Sequence, residues 1–141
     1  MSVKQISVFL ENKPGMLNQM TAELAKSGIN MRALSLAETK DFGIARIIAD
    51  DTLSAMNALK ENGFIAALTP VLAFEIPNEA GGLNHLLQTL TDAEVNIEYM
   101  YSCLSLRGQS KAVMVFRVTD TEKSESALVS RGLYSLTQEE I

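Results

Sequence analysis

The chain has one cysteine (Cys103), one histidine (His85), three prolines and no tryptophan among 141 residues. A lone cysteine excludes an intrachain disulfide and fits a reducing compartment. His85 and Cys103 together cannot supply the three or four ligands of an ordinary zinc site, so neither a metal nor a cofactor is expected. A Ser-His-Asp or Cys-His arrangement would have to use His85. That residue lies among Leu83, Leu86 and Leu87 on a predicted helix and reads as a surface or boundary histidine. Aromatic residues make up 6%, and 12 Lys and Arg face 17 Asp and Glu, for a net charge of -5. Phosphate recognition needs clustered cations, so no nucleic-acid partner is expected. No apolar run approaches the roughly 18 residues of a membrane helix. The start Met-Ser-Val-Lys-Gln-Ile has no charged region followed by a long apolar run, so no signal peptide is expected. The expectation is a soluble, cytoplasmic protein with no membrane partner.

Hydrophobic residues reach 47%, enough for a packed core. The length suits one ordinary domain or two very small ones. An internal repeat favours two. Shifted by 66, Asn12, Gly15, Leu17 and Asn18 fall on Asn78, Gly81, Leu83 and Asn84, Leu24 on Leu90, and Asn30 on Asn96. Shifted by 69, Asp51-Thr52 falls on Asp120-Thr121, Ala58-Leu59 on Ala127-Leu128, and Gly63 on Gly132. The three extra residues fit a longer loop near Arg107-Gly-Gln-Ser110.

Each copy has the same order of elements. From Gln5 to Leu10 the pattern alternates, with Ile6, Val8 and Leu10 on one side and Gln5 and Ser7 on the other, a half-buried strand. Asn12 to Gly15 is a turn. Leu17, Met20 and Leu24 line one helix face, and Gly28 suits the helix end. Asn30 to Glu38 and Gly43 to Ala49 form a hairpin about Thr39-Lys-Asp41. Asp51 or Thr52 caps a second helix that ends at Gly63, and Phe64 to Leu68 is a short closing strand. The second copy repeats this with strands 71–76, 96–105, 112–118 and 133–136 and helices 83–93 and 121–131. Met31, Met56, Met100 and Met114 are expected in the cores.

Strand-helix-strand-strand-helix-strand, twice over, is an α+β chain. It predicts two ferredoxin-like βαββαβ units in tandem, residues 1–69 and 70–141, each an antiparallel sheet with both helices on one face. Units of this size have small cores and an open sheet face. Each should therefore pack against its sister or another chain, and a homodimer is expected.

This fold hosts unrelated functions, so the site must decide. RNA-recognition domains need exposed strand aromatics with basic residues, and Tyr99 and Tyr101 have no basic cluster beside them. Small metal chaperones carry two cysteines on the first loop, and this loop has none. The stretch Val8-Phe-Leu-Glu-Asn-Lys-Pro-Gly-Met-Leu17, followed by Ala25-Lys-Ser-Gly-Ile-Asn30, resembles the opening of an ACT domain. The second copy keeps Asn78, Gly81, Leu83 and Asn96 but has Ala80 for the proline and Glu94 for the helix-end glycine.

The resemblance implies a non-catalytic regulatory protein that binds an amino acid or similar small metabolite and acts on a partner enzyme. It places the ligand at the first strand-helix loop, on Asn12, Pro14, Gly15, Met16, Leu17 and Asn30, and on Asn78, Gly81, Gly82, Leu83 and Asn96. The chemistry of these residues suits that ligand. Glycine admits close approach, helix-start amides favour a carboxylate, and asparagine both donates and accepts. Gly82 in place of Met16 is expected to make the second pocket roomier or more mobile. The asparagines equally suit Asx-turns and helix ends. An alternative within the resemblance is the regulatory small subunit of acetolactate synthase, whose second half would not be another such unit. An enzyme using His85 or Cys103 is a third, less favoured, reading.

Overall fold

A computed structural model describes residues 2–103, 105, 106 and 108–141. Leu104, within the expected strand 96–105, and Arg107, within the expected long loop, lie outside the described residues. The chain forms two compact units, Lys4–Thr69 and Pro70–Ile141, the latter also taking in Ser2 and Val3.

In the first unit, β1 (Val3–Glu11), β2 (Met31–Glu38), β3 (Phe42–Ala49) and the start of β4 (Ile65–Pro77) follow the order β2-β3-β1-β4. β3 is antiparallel to both β1 and β2, with Ile6 opposite Ile47 and Leu34 opposite Ile47. Helices α1 (Met16–Lys26) and α2 (Thr52–Glu61) cover one face. They bury Met20, Leu24, Ala55, Met56 and Leu59 against Ile6, Val8, Ala45 and Ile47. Full burial of a Met or Leu contributes about 1.5–3 kcal/mol each. Gln5 faces away from this core, as alternation requires, yet it is fully buried and its Nε2 donates to Ser7 Oγ at 3.0 Å. Ile48, on the same face, is buried too.

The second unit repeats the plan with the later part of β4, α3 (Gly82–Asp92), β5 (Ile97–Cys103), β6 (Lys111–Val118) and α4 (Thr121–Val129), in the order β4-β6-β5. Leu72, Phe74, Leu86, Leu90, Met114, Phe116 and Leu128 form its core. The Phe74 and Phe116 rings lie 6.1 Å apart in a tilted arrangement, a favourable aromatic geometry. No helix among the described residues is long and apolar enough to cross a membrane.

Two strand expectations are corrected. Phe64–Leu68 and Val71–Ile76 are parts of one 13-residue strand, β4. A proline's φ suits extended backbone, and its missing N–H is tolerated at an exposed strand position. Arg117 Nη1 donates to the Pro70 carbonyl at 2.9 Å. Residues 133–136 are not a strand. Leu136 N donates to Ala73 O at 2.7 Å, but Ala73 N donates to the Ser135 hydroxyl at 3.1 Å. A side chain thus takes the place of the backbone acceptor that a ladder would need.

Helices α2 and α4 start on matching caps. Asp51 accepts from Ser54 N at 3.0 Å and from Ser54 Oγ at 2.8 Å; Asp120 accepts from Lys123 N at 3.1 Å. The bonds from the Ser54 backbone and then its hydroxyl hold the Asp51 carboxyl below its ordinary 3.8. A lowered folded value means that its stabilising effect is complete above that pH and is lost as acid protonates the folded form. Asp51→Ala should therefore melt below the wild type at neutral pH, with the gap closing as pH falls below about 4. A gap independent of pH in melting curves would contradict this assignment.

Candidate functional site

The turn from β1 to α1 is built by backbone and one carboxamide. Asn12 N donates to Asp41 O at 2.9 Å, and Lys13 N to Glu11 O at 2.9 Å. Asn12 Nδ2 lies 3.3 Å from Glu38 Oε2 and 3.4 Å from each of the Thr39 and Lys40 carbonyls. It therefore ties the loop to the β2–β3 turn. Gly15 then takes φ 86°, ψ -9° at the helix start, and α1 has no side-chain cap. Side chains other than glycine rarely adopt that backbone. A Cβ there would meet nothing within 4 Å, so the loop is open to solvent on that side. Pro14 is exposed, whereas Met16 and Leu17 are half-buried against the core. A shallow recess of about 80 Å³ lies among Asn12, Lys13, Met16, Leu17 and Glu38.

The second copy reproduces this geometry. Asn78 N donates to Ser110 O and Asn78 Nδ2 to Gln109 O, both at 2.9 Å. Gly81 adopts φ 87°, ψ -9°, again with no side-chain cap and again with open space where a Cβ would lie. Leu83 packs against the second core. Gly82 departs from expectation. It is buried, and a Cβ on it would collide with the Pro77 carbonyl oxygen. The room left by the absent methionine side chain is taken by backbone rather than opened.

Asn30 and Asn96 sit elsewhere. Asn30 N donates to Asp50 Oδ1 at 3.1 Å and Asp50 N to Asn30 O at 3.0 Å. Asn96 Nδ2 donates to Thr119 Oγ1 at 2.9 Å and Thr119 N to Asn96 O at 3.2 Å. Helix α1 carries the chain away from Gly15, and the eight residues of β2 carry it back to Glu38 beside Asn12. At about 3.3 Å per residue, Asn12 and Asn30 lie roughly 25 Å apart at opposite ends of β2. One unit therefore does not bring them onto a single small ligand. Sequence order suggested a shared site, and the return stroke of β2 separates them.

Three larger recesses were not legible in the motif. One, of about 290 Å³ in the first unit, is lined by Phe9, Met16, Phe42 and Phe64. Its counterpart in the second unit, about 260 Å³, has His85, Arg131, Gly82 and Leu133. The third, about 280 Å³, is walled by Glu94, Asn96, Thr119, Asp120, Lys123 and Ser124. Comparing the two copies residue by residue would have pointed to the third. His85 is exposed and Cys103 half-buried. Among the described residues no cluster of three His, Cys, Asp or Glu could hold a metal ion.

The fold and these paired loops agree with the comparison to known families, in which a model described as an ACT domain pair matches residues 1–141. The chain belongs to the ACT domain pair family. ACT domains are regulatory, amino-acid-binding domains. The chain is similar to the crystal structure of protein BT0572 from Bacteroides thetaiotaomicron. The identity is 39% and the TM-score 0.90, over 99% of this chain and 95% of that one. It shares its fold with the regulatory subunit of aspartate kinase from Thermus thermophilus, at 19% identity and TM-score 0.65, over 92% and 90% of the two chains. The Thermus flavus counterpart gives 19% and 0.63, over 90% and 88%. No curated protein matches the chain.

In this ACT pair the asparagines make separable predictions. Asn78→Ala removes one well-formed side-chain bond to the hairpin and should cost about 0.5–1 kcal/mol in chemical denaturation. Asn30→Ala should cost nearly nothing, because backbone and Asp50 carry that contact. Equal losses at the two positions would refute this division.

Proposed function

We propose that the chain is a non-catalytic sensor of an amino acid or similar small metabolite. It binds at the helix-start loops 12–17 and 78–83 and passes its state to a second copy of itself or to a partner enzyme. The observation that carries this reading is the repeated bend at Gly15 and Gly81, with identical backbone angles within a degree and no side-chain cap. First-turn amides of a helix have no partner within it, and the helix dipole favours an anion there. A carboxylate of a zwitterion can occupy that position, with the carboxamide oxygens of Asn12 and Asn78 nearby as acceptors for an ammonium. The shared fold with regulatory subunits of aspartate kinase supports a role exerted on a separate catalytic chain. Phe9, Phe42 and Ile65 are 49%, 55% and 71% exposed in the first unit, apolar surface of the kind that interfaces cover. Binding would act by favouring one interface arrangement over another, as linkage requires.

A thermal-shift series with the twenty amino acids tests the reading. A ligand at a hundred times its Kd should add about 2.7 kcal/mol of stability. Gly15→Val should abolish the part of that stabilisation due to the first loop, since a β-branched residue strains φ 86° and fills the open side of the bend. Wild-type affinity in Gly15→Val by calorimetry would move the first unit's site away from this loop.

A further inference from the structure

The duplication supplies a control for every position in the sheet. What both copies keep serves the fold, and what only one copy keeps serves something else. Phe9, Phe42 and Ile65 are 49%, 55% and 71% exposed. They border one recess of about 290 Å³ in the first unit, with Met16 and Phe64 beside them. The second unit holds Glu75 and Lys111 where the first holds Phe9 and Phe42. The strand registers fix this match. Phe9 lies opposite Ile44 as Glu75 lies opposite Val113, and Phe42 lies opposite Glu11 as Lys111 lies opposite Pro77. The same strand pair thus forms with a carboxylate and an ammonium in these two places, so the fold does not require phenylalanine at either. Rings left half in water add little to the core of their own unit.

Charge is distributed as unevenly as the rings. Residues 1–69 hold seven Lys and Arg against seven Asp and Glu, and residues 70–141 hold five against ten, so the net charge of -5 falls entirely in the second half. Around the recess the pattern is the same. Glu11 is the one charged residue on its lining, and Lys13 pairs with it at 3.2 Å. The rest of the polar rim is the neutral pair Gln19 and Asn62. Such a face attracts neither a basic nor an acidic partner. It suits an isologous contact, in which every group meets the same surface and any uncompensated charge would repel itself.

We propose that this face of the first unit is the docking surface for a second copy of the chain, first unit against first unit about a twofold axis. The area agrees. At their stated exposures the two rings and Ile65 offer roughly 300–400 Å² of apolar surface. A homodimer interface takes about 800 Å² from each partner, about 65% of it apolar. Three side chains therefore supply the greater part of the apolar area needed, and aromatic anchors beside a recess are the groups that carry such contacts. Met16, the first residue of α1, lines the same recess, so the contact adjoins the Gly15 bend. This names the second copy as partner in the sensor reading, and rests on that reading only for what the dimer is used for.

The test is sedimentation velocity on the full chain from about 1 to about 100 µM, without amino acids, since self-association follows mass action. The wild type should pass from one chain to two across that range. Phe9→Glu/Phe42→Lys takes the residues of the second unit and leaves the net charge at -5. It should raise the dimer Kd at least about a hundredfold, because each side loses two anchors, while keeping the wild-type circular dichroism. Leu53→Glu alters a leucine that is 72% exposed on α2, outside the recess, and should dimerise as the wild type does. Should the double variant fail to fold, hydrogen exchange on the wild type carries the test: protection at 9–11, 42–44 and 64–66 should rise with concentration. A wild type that stays monomeric throughout would overturn the proposal and leave the face to a different chain. A dimer undiminished in the folded double variant, a dimer lost equally in Leu53→Glu, or protection that ignores concentration would overturn it as well. Failure of the amino-acid series would refute the sensor reading and leave this dimer standing.

Discussion

A strand that must hand over directly to a helix needs one residue able to reverse the chain without a side chain in the way. Gly15 and Gly81 do this at φ 86° and 87°. The rest of each unit depends on that bend. It aims α1 and α3 back across their sheets, so that Met20, Leu24, Leu86 and Leu90 reach the cores. It also consumes the position at which Ser, Asp or Asn would normally cap, so no side chain caps the helix start, and only the first helical amides, Met16 N and Gly82 N, donate back to the loop carbonyls of Lys13 and Glu79. Packing and binding thus draw on the same local geometry. A side chain at either glycine would disturb both.

The second constraint is the tie between this loop and the neighbouring hairpin. Asn12 and Asn78 each use a backbone N–H and a side-chain amide to hold the turn that joins the next two strands. This is the Asx-like structural role that their residue type allows. It leaves the carboxamide oxygen as the group with which either could meet a ligand. Positioning and binding are compatible here because an asparagine has donors and an acceptor on separate atoms.

Duplication separates what the fold requires from what it permits. Both copies keep the glycine bend, the aspartate cap on the second helix and the asparagine tie. They diverge where the fold is indifferent. A recess bordered by Phe9, Phe42 and Phe64 in the first unit is bordered by His85 and Arg131 in the second. The turn at Gly28 becomes Glu94, and the side chains around the α4 cap become charged or hydroxylated. Equal backbones with unequal linings are what two units sharing a fold and differing in ligand chemistry would have.

Periodicity of two and of 3.6, with Gly, Asn and Asp at the joints, determined the helices, the hairpins, the two cores and the repeat. These follow from local propensity and from burying one face, and both are written along the chain. Other features needed the third dimension. Pro70 reads as a break, yet β4 runs through it, since an exposed strand position tolerates the missing N–H and Arg117 occupies the carbonyl. Residues 133–136 have strand composition, yet Ser135 supplies its hydroxyl where a ladder needs a carbonyl. Gly82 reads as extra room, and the Pro77 backbone fills it. Asn12 and Asn30 read as partners because they flank one helix, and β2 sets them at opposite ends of the unit. Distances between residues remote in sequence arise from how rigid elements return on one another, and no pattern of residue types encodes that return until the elements are packed.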